Sequence, residues 1–166
     1  MKRVLVGLGV ALSVVLSLVG CGGTPATVGV DGAFASRVLA ICATTEASKQ
    51  AWAPFPAGSF DPTKPDPAKL ASVGAWLESE VAPTFVAWRD QVVAAGSPAS
   101  GQAAWDPVVT GLEGTVSLNA EQIAAAKAGD TDAFASATRR LQADHAAFVA
   151  ATRAAGVAAC GDIVSS

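Results

Sequence analysis

Tyrosine is absent from this 166-residue chain, histidine and methionine occur once each, and only 15% of residues are charged. Each shortage removes a class of chemistry. A catalytic triad needs a base, and His145 is the lone imidazole. A zinc site usually takes three or four Cys, His or carboxylate ligands, which one histidine does not favour. The Glu-x-x-His pattern of di-iron bundles is missing. Eleven Lys and Arg stand against 14 Asp and Glu, a net charge of −3, and no basic patch or stripe forms. Nucleic acid is therefore not an expected partner. Phosphate cradles are lacking too: Gly111 and Gly114 fall inside a helical pattern with no following Lys-Ser or Lys-Thr. Runs of β-branched residues with period-2 alternation are scarce, so no sheet is expected.

What is present begins at the N-terminus. Met1-Lys2-Arg3 is a short basic start, Val4 to Gly20 is an apolar run, and Leu18-Val19-Gly20-Cys21 closes it with small or aliphatic residues before a cysteine. That is the layout of a secretory signal peptide, and with the cysteine in place it resembles the lipobox of bacterial lipoproteins. The resemblance covers residues 1–21. It implies removal of residues 1–20, a thioether-linked diacylglycerol on Cys21, and a cell-membrane location on the extracytoplasmic face. Two alternatives stand beside it. One is an uncleaved span, for which the run is short and broken by Gly7, Gly9, Ser13 and Ser17. The other is a signal peptide cut near Gly20 that leaves Cys21 unmodified. Two or three acyl chains would hold the protein on the membrane, since each buried methylene contributes about 0.8 kcal/mol. Residues 21–30, with Gly22-Gly23-Thr24-Pro25, read as a flexible tether, and 31–166 as one domain. Loss of Lys2 and Arg3 leaves a net charge of −5, so the lipid and not charge would do the anchoring.

Three cysteines leave one over in an exported chain. With Cys21 lipidated, Cys42 and Cys160 remain as a pair in an oxidising compartment. A bond between them would tie the first helix to the C-terminal tail and contribute about 4–5 kcal/mol for a loop of that size. The alternative, a reactive or metal-binding thiol pair, has no second Cys or His at ligand spacing near either residue.

The remainder is Ala-rich and helix-favouring. Four segments show helical periodicity between Pro/Gly punctuation. The first runs from Asp31, an N-cap, to about Trp52, with Phe34, Val38, Ile41, Cys42, Thr45 and Trp52 on one face. Asp66-Pro67 starts the second, which runs to about Ala95 on a stripe of Leu70, Val73, Leu77, Val81, Phe85, Trp88 and Val92. Pro83 predicts a kink near Ser79 to Pro83. The third begins between Pro98 and Pro107 and ends near Ala128, with Trp105, Val109, Leu112, Val116, Asn119 and Ile123 sharing a face and Gly129 as C′ residue. Its Gly111 and Gly114 allow close approach of a neighbour. Asp130 or Thr131 caps the fourth, with stripe Phe134, Ala137, Leu141, His145, Phe148 and Ala151, which Gly156 ends.

Short connections favour antiparallel neighbours, so the expected fold is all-α, an antiparallel up-down four-helix bundle with one disulfide to the C-terminal tail. Ile41-Cys42-Ala43, Ala128-Gly129-Asp130 and the ending Ala154-Ala155-Gly156-Val157 to Cys160-Gly161 make residues 31–161 similar to small secreted or lipid-anchored four-helix proteins of high-GC Gram-positive bacteria. The likeness implies a bundle and an extracellular location, and no particular reaction.

For a site, the strongest candidate is the loop with Trp52, Phe55 and Phe60 among prolines, an interaction surface in one reading and a cap on one end of the bundle in the other. Trp76 lies off its helix's stripe and either covers a neighbour or marks an exposed patch. His145 and Asn119 read as core polar groups, with Glu113 as the expected partner of His145. Glu78 and Glu80 point to different helix faces, and Asp130 and Asp132 suit a helix N-terminus. No metal or cofactor is expected. The leading expectation is a non-enzymatic, lipid-anchored helical domain that binds an envelope protein or serves as a scaffold. The alternative is a carrier of a small apolar ligand in a cavity between helices. An enzyme using carboxylates alone, acting on cell-wall glycans, is the third.

Overall fold

The computed structural model describes residues 29–164, and every regular element among them is helical. Cys21 and the whole leader lie outside the described residues. The order is α1 (Gly32–Lys49), α2 (Pro67–Trp76), a π turn (Leu77–Val81), α3 (Ala82–Ala94), α4 (Gln102–Ala128), α5 (Thr131–Ala154) and a short α6 (Ala158–Asp162). No helix among the described residues is long and apolar enough to cross a membrane.

Acidic residues start three helices. Asp31, Asp66 and Asp130 each accept a backbone N–H of the first turn, from Phe34, Ala68 and Ala133, all at 2.9 Å. These bonds satisfy donors that the helix leaves open. Asp31 also accepts from Ala99 N at 2.8 Å, which pins the start of α1 to the segment before α4. Gly129 ends α4 in the left-handed region (φ 68°), as expected for a C′ glycine.

α1 stops at Lys49, short of the expected Trp52. The Trp52 indole Nε1 donates to Thr84 Oγ1 of α3 at 2.9 Å, off the α1 axis. The long second segment is interrupted where Pro83 predicts a kink, by a π turn. From Val73 to Phe85 is twelve residues, about 120° past three full α-helical turns. One extra residue absorbed in the π turn restores the phase, so Val73, Val81, Phe85, Trp88 and Val92 are all buried. Pro83 carries no N–H to meet the carbonyl four residues before it.

The buried face of α4 is offset from the expected one. Val108, Thr115 and Gln122 are buried where Val109, Val116 and Ile123 were expected, beside Trp105, Leu112 and Asn119. The second half of α4 buries Asn119 and Gln122 alongside Leu118, Ala125 and Ala126. In α5, Phe134, Ala137 and Phe148 are buried as expected, while Leu141, His145 and Ala151 are half-buried.

α4 and α5 share the longest contact; α3 lies against α4 and α1, α2 against α4, and α6 against α5 and α1. One core cluster gathers Phe34, Val38, Phe85, Trp88, Trp105, Leu112 and Phe148, with Phe34 edge-on to Trp105 at 4.8 Å and Trp88 edge-on to Phe148 at 5.6 Å. A smaller one joins Leu70, Val73, Ala125, Ala126 and Phe134. Gly111 lets Phe148 close onto α4: a Cβ there would stand 2.9 Å from Phe148 Cδ2. Gly74 does the same for α2, where a Cβ would lie 2.5 Å from Ala126 Cβ. Cys42 and Cys160 form a disulfide, Cα to Cα 5.3 Å, that fastens α6 to α1 across 118 residues of chain.

Candidate functional site

Between the two apolar clusters lies a cleft of about 430 Å³. Its walls come from several parts of the chain. The end of α1 contributes Lys49 and the loop after it Trp52 and Pro62; α2, the π turn and α3 contribute Trp76, Leu77, Val81 and Phe85; α4 contributes Asn119 and Gln122. α5 adds Thr138, Leu141, His145 and, at the exposed edge, Gln142, and the tail adds Ile163 and Val164. The volume falls in the usual range of small-molecule sites, about 300–1,000 Å³. One wall is aromatic and aliphatic and the other is polar, the arrangement that orients a ligand.

The polar wall is built from the lower half of α4 and the facing part of α5. Asn119 and Gln122 are three residues apart and share a helix face. Both are deeply buried, at 4% and 5% exposure. Gln122 Nε2 donates to Thr138 Oγ1 at 2.8 Å, and the Thr138 hydroxyl donates to Phe134 O at 3.0 Å. With its only hydrogen spent on Phe134, Thr138 Oγ1 accepts, and this fixes which end of the Gln122 amide faces it. The Gln122 carbonyl oxygen is left over for the cleft. Asn119 has no side-chain hydrogen bond among the described residues, although it is buried.

His145 lines the same cleft, and its Nε2 is covered and has no hydrogen-bond partner among the described residues. Its expected partner Glu113 is exposed on the outer face of α4. The charges that act on His145 are Asp144 and Lys49 instead. Burial lowers the imidazole pKa below its usual value; Asp144 opposes this and Lys49 reinforces it. Asp144 itself lies close to Gly114 on α4, with Oδ2 3.1 Å from where a Cβ would stand. Lys49 ion-pairs with Glu46 at 3.5 Å, donates to Ile163 O and lies over the Trp52 ring. The ammonium thus joins α1, the tail and the cleft rim.

The aromatic loop closes one side. Trp52 is half-buried and meets Trp76 edge-on at 5.6 Å. Phe60 packs on the smaller cluster, edge-on to Phe134 at 5.9 Å. Phe55 is 39% exposed and rests edge-on against Trp76 at 5.2 Å. Trp76, off the stripe of its helix, donates from Nε1 to Ala53 O at 2.8 Å and so holds the loop down. Ala53 N in turn donates to Glu80. The role of Trp76 as a loop anchor was not legible in helical periodicity, because its partners come from a non-helical segment.

Among the described residues no group of three or more His, Cys, Asp and Glu is placed to hold a metal ion. Comparison with known proteins finds no matching family model, no matching curated protein and no matching solved structure.

Proposed function

We propose that this chain is a lipid-anchored, extracytoplasmic helical domain that binds a small molecule in the cleft between α1, the π turn, α4 and α5, without catalysis. The observation that carries the reading is a cleft of about 430 Å³ with an apolar wall facing Asn119, Gln122 and His145. The alternating order of long helices and their pairwise contacts support an up-down four-helix bundle in which the α2–π–α3 rod is one member. The Cys42–Cys160 disulfide supports an oxidising compartment, and Leu18-Val19-Gly20-Cys21 supports lipidation at Cys21.

A second reading keeps the binding role but gives it to the loop: an envelope protein docks on Trp52, Phe55 and Phe60. The exposure of Phe55 favours it. Native mass spectrometry of protein extracted from membranes separates the two. The cleft reading expects a single small molecule retained on the chain together with the mass of the acyl chains. A chain that carries no small molecule, and whose retention by envelope extracts is lost on Phe55→Ala, contradicts it. For the anchor, Cys21→Ser is expected to release the protein from membranes; retention with residues 1–20 still attached overturns lipidation.

A further inference from the structure

We propose that the cleft takes a small, uncharged molecule with a ring-containing apolar body and one carboxamide-class head group, the head seated on Asn119 and Gln122. The proposal rests on the cleft being the binding site and names the ligand class it selects.

The head follows from which polar atoms are already committed. Gln122 commits one of its two amide N–H donors to Thr138, whose hydroxyl is spent on Phe134. Its carbonyl oxygen makes no hydrogen bond among the described residues and offers an acceptor. Asn119 carries a free amide, both donor and acceptor, at 4% exposure. A head that donates one N–H to the Gln122 carbonyl and accepts one N–H from Asn119 satisfies both residues at once. A carboxamide or lactam does this; a hydrocarbon offers no partner to the Gln122 carbonyl or to the Asn119 amide. Sites with buried polar groups reject analogues that leave those groups unsatisfied far more strongly than apolar pockets reject a missing methylene.

The charge of the ligand follows from the same accounting. A buried charged head needs an opposite charge. Lys49 at the rim is already engaged by Glu46 and Ile163 O. His145 is held toward the neutral form by burial. No acidic side chain lines the cleft. Neither an anion nor a cation finds an uncommitted counter-charge there. The body is set by the opposite wall, where Trp76, Leu77 and Phe85 present edges and aliphatic surface suited to a ring.

The test is NMR titration of the intact protein with four probes that share one body: 3-phenylpropanamide, 3-phenylpropanoate, 3-phenylpropylammonium and propylbenzene. His145 is the only histidine, so its imidazole resonance is a single reporter inside the cleft. The amide is expected to shift that resonance and the methyls of Leu77 and Val81, and to bind at least about tenfold more tightly than propylbenzene. Asn119→Leu is expected to abolish that preference. If the variant does not fold, the comparison of probes on the wild-type protein decides alone. Propylbenzene binding as tightly as the amide, with the cleft methyls still shifting, overturns the head-group assignment and leaves the cleft standing. Tighter binding of either charged probe overturns neutrality of the ligand. No shift at His145, Leu77 or Val81 with any probe overturns the cleft reading and the ligand class together.

Discussion

The two halves of the α4–α5 pair are built on opposite principles. Where the first half of α4 meets the last half of α5, Trp105, Leu112, Phe148 and their neighbours are all but sealed from water, and Gly111 admits Phe148 at contact distance. Where the second half of α4 meets the first half of α5, Thr115, Asn119, Gln122 and Thr138 are buried beside Leu118, Ala125, Ala126 and Phe134, and a cleft remains open. One helix pair thus carries a filled region and an unfilled one. The filled region holds the fold together, and the polar region presents the amides of Asn119 and Gln122 to an open cleft. That contrast is the physical basis for placing the binding site in the second region.

The contrast can be broken most forcefully at the apolar end. Joint replacement of Cys42 and Cys160 by serine is expected to lower unfolding free energy by about 4–5 kcal/mol, measured by urea denaturation. The tail residues Ile163 and Val164 line the cleft, so the same variant should also weaken ligand binding. Phe148→Ala is expected to cost about 3–5 kcal/mol, because it empties the space between Gly111 and Trp88. A loss below 1 kcal/mol in the same assay would mean that this end is not the tightly packed one. Gly74→Ala forces a methyl to within 2.5 Å of Ala126 Cβ, and overpacking of this kind costs about 1–3 kcal/mol.

Substitutions in the polar region should behave differently. Asn119→Leu removes an amide that lines the open cleft and makes no side-chain hydrogen bond among the described residues, so stability is expected to change by less than about 1 kcal/mol in either direction. A large destabilisation would show that Asn119 is a structural residue and erase the contrast. The smallest effect concerns pH. His145 has a lowered pKa in the folded state, so the unfolded chain binds its proton more readily. Stability should be fully present above the unfolded value near 6.5 and decline as pH falls from there toward the lowered folded value. His145→Gln should flatten that slope in thermal melts recorded across this range.

The sequence carried the apolar end well and the polar end poorly. Asp31, Asp66, Asp130 and Gly129 marked helix limits, because capping is a local bond between a side chain and its own first turn. The Phe34, Trp88, Trp105 and Phe148 core followed from three- and four-residue spacing. The face of α4 was misjudged where it turns polar, since periodicity of apolar residues is silent about a buried stripe of Thr115, Asn119 and Gln122. Asn119 and His145 read as satisfied core polar groups; that both line a cleft, and that His145 Nε2 is covered without a partner among the described residues, emerges only when the helices are placed together. The π turn was half legible: Pro83 marked the position as a kink, while the extra residue that rephases the stripe was not legible, because the apolar spacing reads as keeping its phase across the proline.

The most direct test is a crystal structure of the protein extracted from its native membranes. The cleft is expected to hold one ring-containing molecule, its head within about 3 Å of the Asn119 and Gln122 side-chain amides, a normal hydrogen-bond distance. A cleft closed by side chains, with Asn119 bonded to the protein itself, would contradict the account.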